Sequence, residues 1–178
     1  MSHAATDAQI VARCRAGEEA AWNELVERYS RYVYAICTQA FRLSPADAED
    51  VFQEVFARMY EHLDRLRNDD AFRPWLAQLT RRLCIDSLRS SGREAAADPE
   101  TLEPPGVDET LSRLDEAMTV RAGLEAVGAP CSELLDRFFC RDESYRTIGE
   151  ALSLPPGTIA SRISRCLGKL KSELEGRS

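Results

Sequence analysis

The sequence predicts an all-α protein: two small helical domains joined by a flexible acidic linker, the second ending in a helix-turn-helix. Two observations carry this prediction. Apolar residues recur at helical spacing along most of the 178 residues, and no stretch shows the alternation of a β-strand. Between the two periodic parts, residues 92–112 hold prolines, glycines and acids but almost no large apolar side chain, which is typical of a linker.

The first domain, residues 1–91, is expected to contain four helices. A capping-box pattern at Thr6 and Gln9 begins the first helix, which ends at Gly17, a residue favoured just beyond a helix C-terminus. The second helix runs from Glu18 to Phe41, because its apolar residues keep the helical period.

The third helix begins with Ser44 as its cap and Pro45 in its first turn, and it is expected to end near Leu66. Its expected buried stripe is made of large apolar side chains: Phe52, Val55, Phe56, Met59 and Leu63. After a short polar loop at 68–70, the fourth helix spans 72–90. Its expected stripe is also apolar: Phe72, Leu76, Leu79 and Leu83.

The second domain, residues 113–178, belongs to a helical pattern that returns near Leu111 and persists to Leu174. Its clearest feature is a helix-turn-helix from about Ser144 to Lys171. Ser144 can cap the first helix, and the double proline at 155–156 ends that helix and begins the next. The first helix is expected to turn three residues inward: Ile148, Ala151 and Leu152. The second is expected to bury three residues spaced four apart: Ile159, Ile163 and Leu167.

The opposite face of that last helix is polar and basic, with five candidate DNA-contacting residues: Thr158, Ser161, Arg162, Arg165 and Lys169. Such a face suits a recognition helix in the major groove, where hydroxyls and arginines contact phosphates and base edges. The alternative is a plain helical hairpin whose basic face is only solvated.

Two charged helix faces in the first domain are further candidates. Three polar residues of the third helix lie off its apolar stripe: Asp50, Gln53 and Glu54. Three arginines line the outer side of the fourth helix, a pattern that can hold a phosphate backbone or a single strand: Arg81, Arg82 and Arg89. A solvated surface is the ordinary alternative for each face. Catalytic carboxylates are not supported, since no histidine, metal cluster or glycine-rich loop accompanies them.

Composition excludes several classes of protein. With 44% hydrophobic and 30% charged residues, the chain is expected to be globular and soluble. No apolar run approaches the roughly 18 residues that span a bilayer, and the N-terminus lacks a signal-peptide layout. We therefore expect a cytoplasmic protein without membrane insertion. The net charge is −7, but charge is distributed unevenly along the chain. Many of the acids lie between residues 92 and 116, and the two basic helices flank this stretch.

The six cysteines and two histidines predict no cofactor or metal site. No two cysteines form a C-x-x-C pair, and His3 and His62 lie far from any cysteine cluster. A reducing cytoplasm argues against disulfides, so we expect most of the cysteines to be small buried apolar side chains. No nucleophile–base pair is found either, and we expect no enzymatic activity.

The whole layout resembles the extracytoplasmic-function group of bacterial RNA polymerase sigma factors. The resemblance covers nearly the whole chain and is carried by six segments in order: 10–17, 48–56, 72–76, 83–89, 144–152 and 156–165. One segment alone would be weak, because many regulators contain a helix-turn-helix. Several segments in the right order, divided by a linker, are specific.

The resemblance implies a role for each face. Asp50, Gln53 and Glu54 would bind core RNA polymerase. The loop around 66–71, with Asn68, Asp69 and Asp70, would capture a flipped base of the −10 promoter element. The fourth-helix arginines would hold the non-template strand, and the last helix would read the −35 element. A cognate anti-sigma protein is expected to cover the basic faces.

The sequence departs from the family in places. Ala160 stands where many relatives have a basic residue, and Ser164 is small, so fewer side chains can read bases. Two alternatives stay open at this point: a two-domain helix-turn-helix regulator that acts without core polymerase, and a helical interaction protein such as an anti-sigma factor or adaptor.

Overall fold

The computed structural model describes residues 4–91 and 102–177, which are helical and contain no strand. The chain divides into two compact units, Ala5–Asp115 and Glu116–Ser178. Within residues 4–91 the first unit has four α-helices: α1 (Asp7–Arg15), α2 (Glu19–Ala35), α3 (Pro45–His62) and α4 (Phe72–Ser90). Four more follow: α5 (Val107–Val127), α6 (Ala129–Leu135), α7 (Tyr145–Leu152) and α8 (Pro156–Glu175). The predicted all-α class is confirmed.

Local sequence signals set both ends of α1 and the start of α3, as expected. Helix α2 was expected to continue to Phe41 but ends at Ala35, where a π-helical turn over Ile36–Ala40 follows it. The hydroxyl of Thr6 accepts from the N–H of Gln9, and the Gln9 side chain accepts from the N–H of Thr6, which completes the capping box of α1. Gly17 follows α1 with a φ of 86°, a conformation that glycine adopts without strain. The Ser44 hydroxyl caps α3 by accepting from the N–H of Asp47 at 3.2 Å.

The core of the first unit is built where α1 to α4 meet. Its largest fully buried side chains include Ile10, Leu25, Tyr29, Phe72 and Leu76. The rings of Tyr29 and Phe72 meet edge to face at 5.1 Å, an arrangement that aromatic pairs favour. This core fixes α3 and α4 against each other, so the outward faces of both helices are presented on a rigid support.

The buried stripe of α3 is rotated from the one that the sequence predicts. It consists of Ala48, Val51, Val55 and Met59, while Phe52 and Phe56 are only half-buried. Small Ala48 and Val51 allow close approach of the neighbouring helices, and the large rings lie at the edge of the packed face. The expectation that Phe52 and Phe56 belong to the core was wrong, because large side chains are not always the central ones.

Helix α5 begins earlier than the sequence predicts. The expected linker extends to residue 112, whereas the helix starts at Val107, which is buried. The N–H of Thr110 donates to the carbonyl of Gly106 at 3.0 Å, and acids at 108 and 109 favour a helix N-terminus. The linker residues 92–101 lie outside the described ranges.

A buried polar cluster holds the first turns of α5 on the first unit. The Tyr32 hydroxyl donates to the Asp115 carboxylate at 2.5 Å, and Arg73 donates to the Asp115 backbone carbonyl at 3.3 Å. The neighbouring Tyr29, whose ring meets that of Tyr32 at 5.8 Å, donates to the carboxylate of Asp7. Burial raises the pKa of both tyrosines, and the acid that each one faces raises it further.

The second unit packs α6, α7 and α8 around a small core of buried residues: Cys131, Leu134, Leu135, Ile148, Ile159, Ile163 and Cys166. Cys131 and Cys166 form a disulfide. The expectation that the chain has no disulfide was therefore wrong for this pair. Helices α6 and α8 bring the two Cα atoms within 5.3 Å, which suits a disulfide, although 35 positions separate them in the sequence.

The turn between α7 and α8 depends on close backbone approach. Gly149 is buried, and a Cβ added there would lie 2.5 Å from the carbonyl oxygen of Leu154. Ser153 adopts a left-handed conformation with a φ of 57°, which closes α7. Three residues expected to be buried are exposed: Ala151, Leu152 and Leu167. Cys166 takes the core position that Leu167 was expected to hold, since one residue of offset turns a side chain by about a quarter of a helical turn.

Candidate polymerase and nucleic-acid interfaces

The three polar residues of α3 share one exposed face, which we call the acidic face: Asp50, Gln53 and Glu54. Their spacing of three and four places them on adjacent turns, opposite the buried Val51 and Val55. Glu54 accepts from Arg58 one turn later at 2.6 Å, so its charge is partly balanced on the surface. The expected outward direction of these side chains is confirmed.

A cluster of aromatic rings that was not predicted from the sequence borders the acidic face. Phe52 and Phe56 meet edge to face at 4.9 Å, and Tyr34 of α2 approaches Phe52 at 6.4 Å. Nearby in sequence, Tyr60 is 68% exposed and its ring lies 4.8 Å from that of Trp22. Partly exposed rings beside polar groups are typical of protein–protein contact surfaces. The four-residue spacing of Phe52 and Phe56 was the available signal.

The loop between α3 and α4 presents its polar residues unequally. Asn68 and Asp70 are exposed, and the Asn68 side chain accepts from the N–H of Asp70 at 3.1 Å. Asp69, by contrast, is half-buried and forms an ion pair with Arg15 of α1. The structure therefore separates the three expected loop residues into two that face solvent and one that is engaged within the protein.

The three α4 arginines do not form one surface. Arg82 and Arg89 are seven positions apart and so lie on the same side of the helix, with Arg82 exposed and Arg89 half-buried. Arg81 lies about a quarter turn away and its side chain is only 23% exposed. It donates to both oxygens of Glu103, with its Nη2 at 2.6 Å, and to Asp108 at 3.0 Å.

The carboxylates around Arg81 belong to the acidic segment that precedes and begins α5. The two-pronged bond to Glu103, assisted by Asp108, raises the pKa of the Arg81 guanidinium. Two oxygens held in the plane of a guanidinium resemble the way in which a phosphate is bound. In this structure acidic side chains therefore bind Arg81, the arginine that the family resemblance assigns to a DNA strand.

The basic face of α8 is formed as expected. Thr158, Arg162, Arg165 and Lys169 follow one another at helical intervals along one stripe, and Ser161 lies beside them. All are exposed except Thr158, which is half-buried. An open groove between this stripe and α6 is lined by Arg162, Arg165 and Lys169 on one side and by Pro130 and Leu134 on the other. The concentration of cations suits a polyanion.

The remaining cysteines and acids form no metal-binding cluster of three or more ligands within residues 4–91 and 102–177. Cys14, Cys37 and Cys84 are buried, as the sequence predicts, and Cys140 is exposed. The Cys84 thiol donates to Cys37 at 3.8 Å; that bond and burial raise the pKa of Cys84. None of the helices in the described ranges is both long and apolar enough to cross a membrane.

Comparison with known proteins places these surfaces in a family context. The family model for sigma-70 region 2 matches residues 25–94. The chain is 27% identical over 188 residues to the ECF RNA polymerase sigma-E factor of Escherichia coli (strain K12), covering 98% of this chain and 97% of that protein. The factor of the same name from Haemophilus influenzae is 27% identical over 198 residues, with 98% of each chain covered.

A similar solved structure is that of CnrH in complex with the cytosolic domain of CnrY. The sequence identity is 22%, the TM-score is 0.41, and the match covers 97% of this chain and 99% of that one. The region 2 match, residues 25–94, contains the acidic face, the loop between α3 and α4, and the arginines of α4.

Proposed function

Because this chain belongs to the extracytoplasmic-function group of bacterial RNA polymerase sigma factors, which direct promoter-specific transcription, we propose how its surfaces divide that task. The acidic face of α3 binds core RNA polymerase. The loop between α3 and α4 captures a base of the −10 element, and α8 reads the −35 element. The observation that carries this proposal is the region 2 match over 25–94, which contains the first two of these surfaces.

Strand opening in this proposal needs binding energy and no hydrolysis. Separating promoter strands costs base stacking, on the order of 1.4 kcal/mol per base-pair step. A loop that accepts an extruded base, and cations that hold the displaced strand, offset that cost. Exposed Asn68 and Asp70 supply the loop's polar groups, and Arg82 and Arg89 supply the cations. We accordingly propose that the chain has no enzymatic activity of its own.

Recognition of the −35 element is assigned to the basic stripe of α8. Arg162 and Arg165 are exposed and can reach base edges or phosphates. Lys169 lies one turn further along the helix, where it can contact the DNA backbone. Thr158 and Ser161 add hydroxyls at the N-terminal end of the helix. The turn closed by Gly149 sets the angle at which α7 supports this helix.

Each domain of the chain has its own role in this proposal. Residues 1–91 act as the core-binding and −10 domain, and 113–178 as the −35 domain. The acidic segment between them threads a basic channel of the polymerase and ends where α5 begins at Val107. A cognate anti-sigma protein covers the basic faces, and the chain works in the cytoplasm, where its polymerase is.

Core binding is the first step of this function, and charge reversal on α3 tests it. Asp50→Lys with Glu54→Lys should abolish co-elution with core RNA polymerase. The reversed charges would repel a polymerase surface that is complementary to the acidic face. The matched control is Glu19→Lys with Glu27→Lys, which reverses two exposed acids on α2. Equal co-elution of both variants would refute the assignment of α3. Absence of co-elution for the unaltered chain would refute core binding itself.

A further inference from the structure

The loop between α3 and α4 has hydrogen bonds that shape each of its ends separately. At the start, the N–H of Leu66 donates to the carbonyl of Leu63 at 3.1 Å. At the end, the N–H of Ala71 donates to the carbonyl of Asn68 at 3.0 Å, and the Asn68 side chain accepts from Asp70. These bonds span two or three residues each. None of these local hydrogen bonds connects the start of the loop with its end.

One side chain from α1 joins them. The guanidinium of Arg15 donates through Nη2 to the carbonyl of Leu63 at 3.2 Å and to the carbonyl of Leu66. Through Nη1 it donates to the carboxylate of Asp69. A planar group with several donors in a fixed fork can make all three bonds at once. Arg15 therefore holds the start and the end of the loop at a set separation.

The support behind Arg15 is rigid. Ile10, Val11 and Cys14 of α1 are buried in the core of the first unit, and the capping box at Thr6 fixes the start of the helix. Recognition sites keep their geometry when the groups that orient them are themselves packed. The last turn of α1 meets this condition.

Arg15 also changes the charge that the loop presents to DNA. Three consecutive residues, Asn68 to Asp70, include two acids, which would repel a phosphate backbone. Arg15 balances Asp69, whose side chain is turned toward the protein. The exposed groups that remain are the amide of Asn68 and the carboxylate of Asp70.

We infer that Arg15 is a positioning residue for promoter reading: it sets the conformation in which Asn68 and Asp70 meet the extruded base, and Asp69 serves as its partner and not as a base contact. The inference rests on the proposed function, which gives the loop a base to read. It adds to that function a specificity determinant outside the segment matched by the region 2 model, since Arg15 precedes residue 25.

The test measures base discrimination by the assembled holoenzyme. Core RNA polymerase is combined with the full chain and with single-stranded oligonucleotides randomised over the −10 region, and the affinity ratio between the preferred base and the next is recorded. Arg15→Gln should lower this ratio by about tenfold, because a loosened loop no longer favours one base. Arg15→Lys should give an intermediate ratio, since ammonium balances Asp69 but lacks the fork that reaches both carbonyls.

Arg13→Gln is the matched control. Arg13 lies on the same helix, carries the same charge and binds Glu18 and Glu24 at 2.8 Å each, away from the loop. It should keep the wild-type ratio and wild-type binding of core polymerase. Asp69→Asn breaks the same ion pair from the loop side, so it carries the test if Arg15→Gln does not fold.

The outcomes separate the inference from the function on which it rests. A wild-type ratio in both Arg15→Gln and Asp69→Asn would overturn the inference and leave the proposed function intact. The inference would also be overturned by an equal loss in Arg13→Gln, which would reflect general damage to α1. A wild-type holoenzyme without any base preference would overturn the proposed −10 role, and the inference with it.

Discussion

At the scale of the residue, Gly149 sets the geometry of the turn before α8. A Cβ at this position would lie 2.5 Å from the carbonyl oxygen of Leu154, and backbone atoms cannot move aside as a flexible side chain can. The N–H of Leu154 also donates to the carbonyl of Gly149 at 2.9 Å. Glycine is therefore required at position 149, where α7 lies against the turn that leads into α8.

Gly149→Ala should lower the free energy of unfolding of α7 and α8 by about 1–3 kcal/mol, the usual cost of overpacking. Amide hydrogen exchange in these helices measures it without requiring the whole chain to unfold in one step. The control is Gly168→Ala, where an added Cβ meets nothing within 4 Å and alanine favours the helix by about 0.5–1 kcal/mol. Equal protection in both variants would contradict the role of Gly149.

The buried tyrosines predict how stability depends on pH. Burial raises the pKa of Tyr29 and Tyr32, and the partners Asp7 and Asp115 raise it further. The folded chain therefore holds these protons more tightly than the unfolded chain. Stability is complete below the unfolded pKa near 10 and falls as pH rises beyond it, by about 1.4 kcal/mol per pH unit for each tyrosine.

Urea unfolding between about pH 8 and pH 11.5 measures this slope. Tyr32→Phe removes one titrating group and should reduce the alkaline slope by the share of one tyrosine, although it also removes the hydrogen bond to Asp115. Identical slopes for the variant and the unaltered chain would show that Tyr32 does not carry the dependence.

At the scale of the element, the acids around the start of α5 and a DNA phosphate would compete for the same arginine of α4, Arg81. Arg81 can bind a phosphate only after Glu103 and Asp108 release it, because all three groups meet within 3.0 Å. Core polymerase, which draws the linker into its channel in our proposal, would provide that release.

Neutralising the two acids tests this competition in the free chain. Glu103→Gln with Asp108→Asn should raise affinity for single-stranded −10 DNA about fivefold, the equivalent of about 1 kcal/mol for a partly buried ion pair. Glu109→Gln with Glu116→Gln makes the same change in net charge at exposed positions of α5. If both double variants gained equally, net charge and not release of Arg81 would be responsible.

The elements with strong local signals were predictable from sequence. The cap at Ser44, the glycine after α1 and the helical period over 72–90 act within a few residues, so the bounds of α1 and α4 and the start of α3 follow from them. The end of α3 was expected near Leu66 but lies at His62. The α8 face was predictable for the same reason, because a single helical period places Arg162, Arg165 and Lys169 together.

Features that depend on distant partners were not predictable. The pairing of Cys131 with Cys166 requires the packing of α6 on α8. The ion pairs of Arg15 and Arg81 join residues 54 and 22 positions apart, and side-chain type alone does not reveal them. The early start of α5 at Val107 follows from its packing, whereas the composition around it is that of a linker.

At the scale of the whole molecule, the arrangement of charge agrees with an initiation factor. The exposed acids of α3 and the basic residues of α4 and α8 lie on separate helices of one chain whose net charge is −7. Such a chain resists nonspecific DNA binding by itself and is expected to gain promoter selectivity once core polymerase is bound.

The most direct measurement is permanganate reactivity of thymines on genomic promoter fragments mixed with purified chain and core RNA polymerase. If the chain directs promoter opening, reactive thymines will occupy one short window near the −10 position, and only when chain and polymerase are combined. Reactivity with core polymerase alone that the chain does not change, or no reactivity with both, would contradict this role.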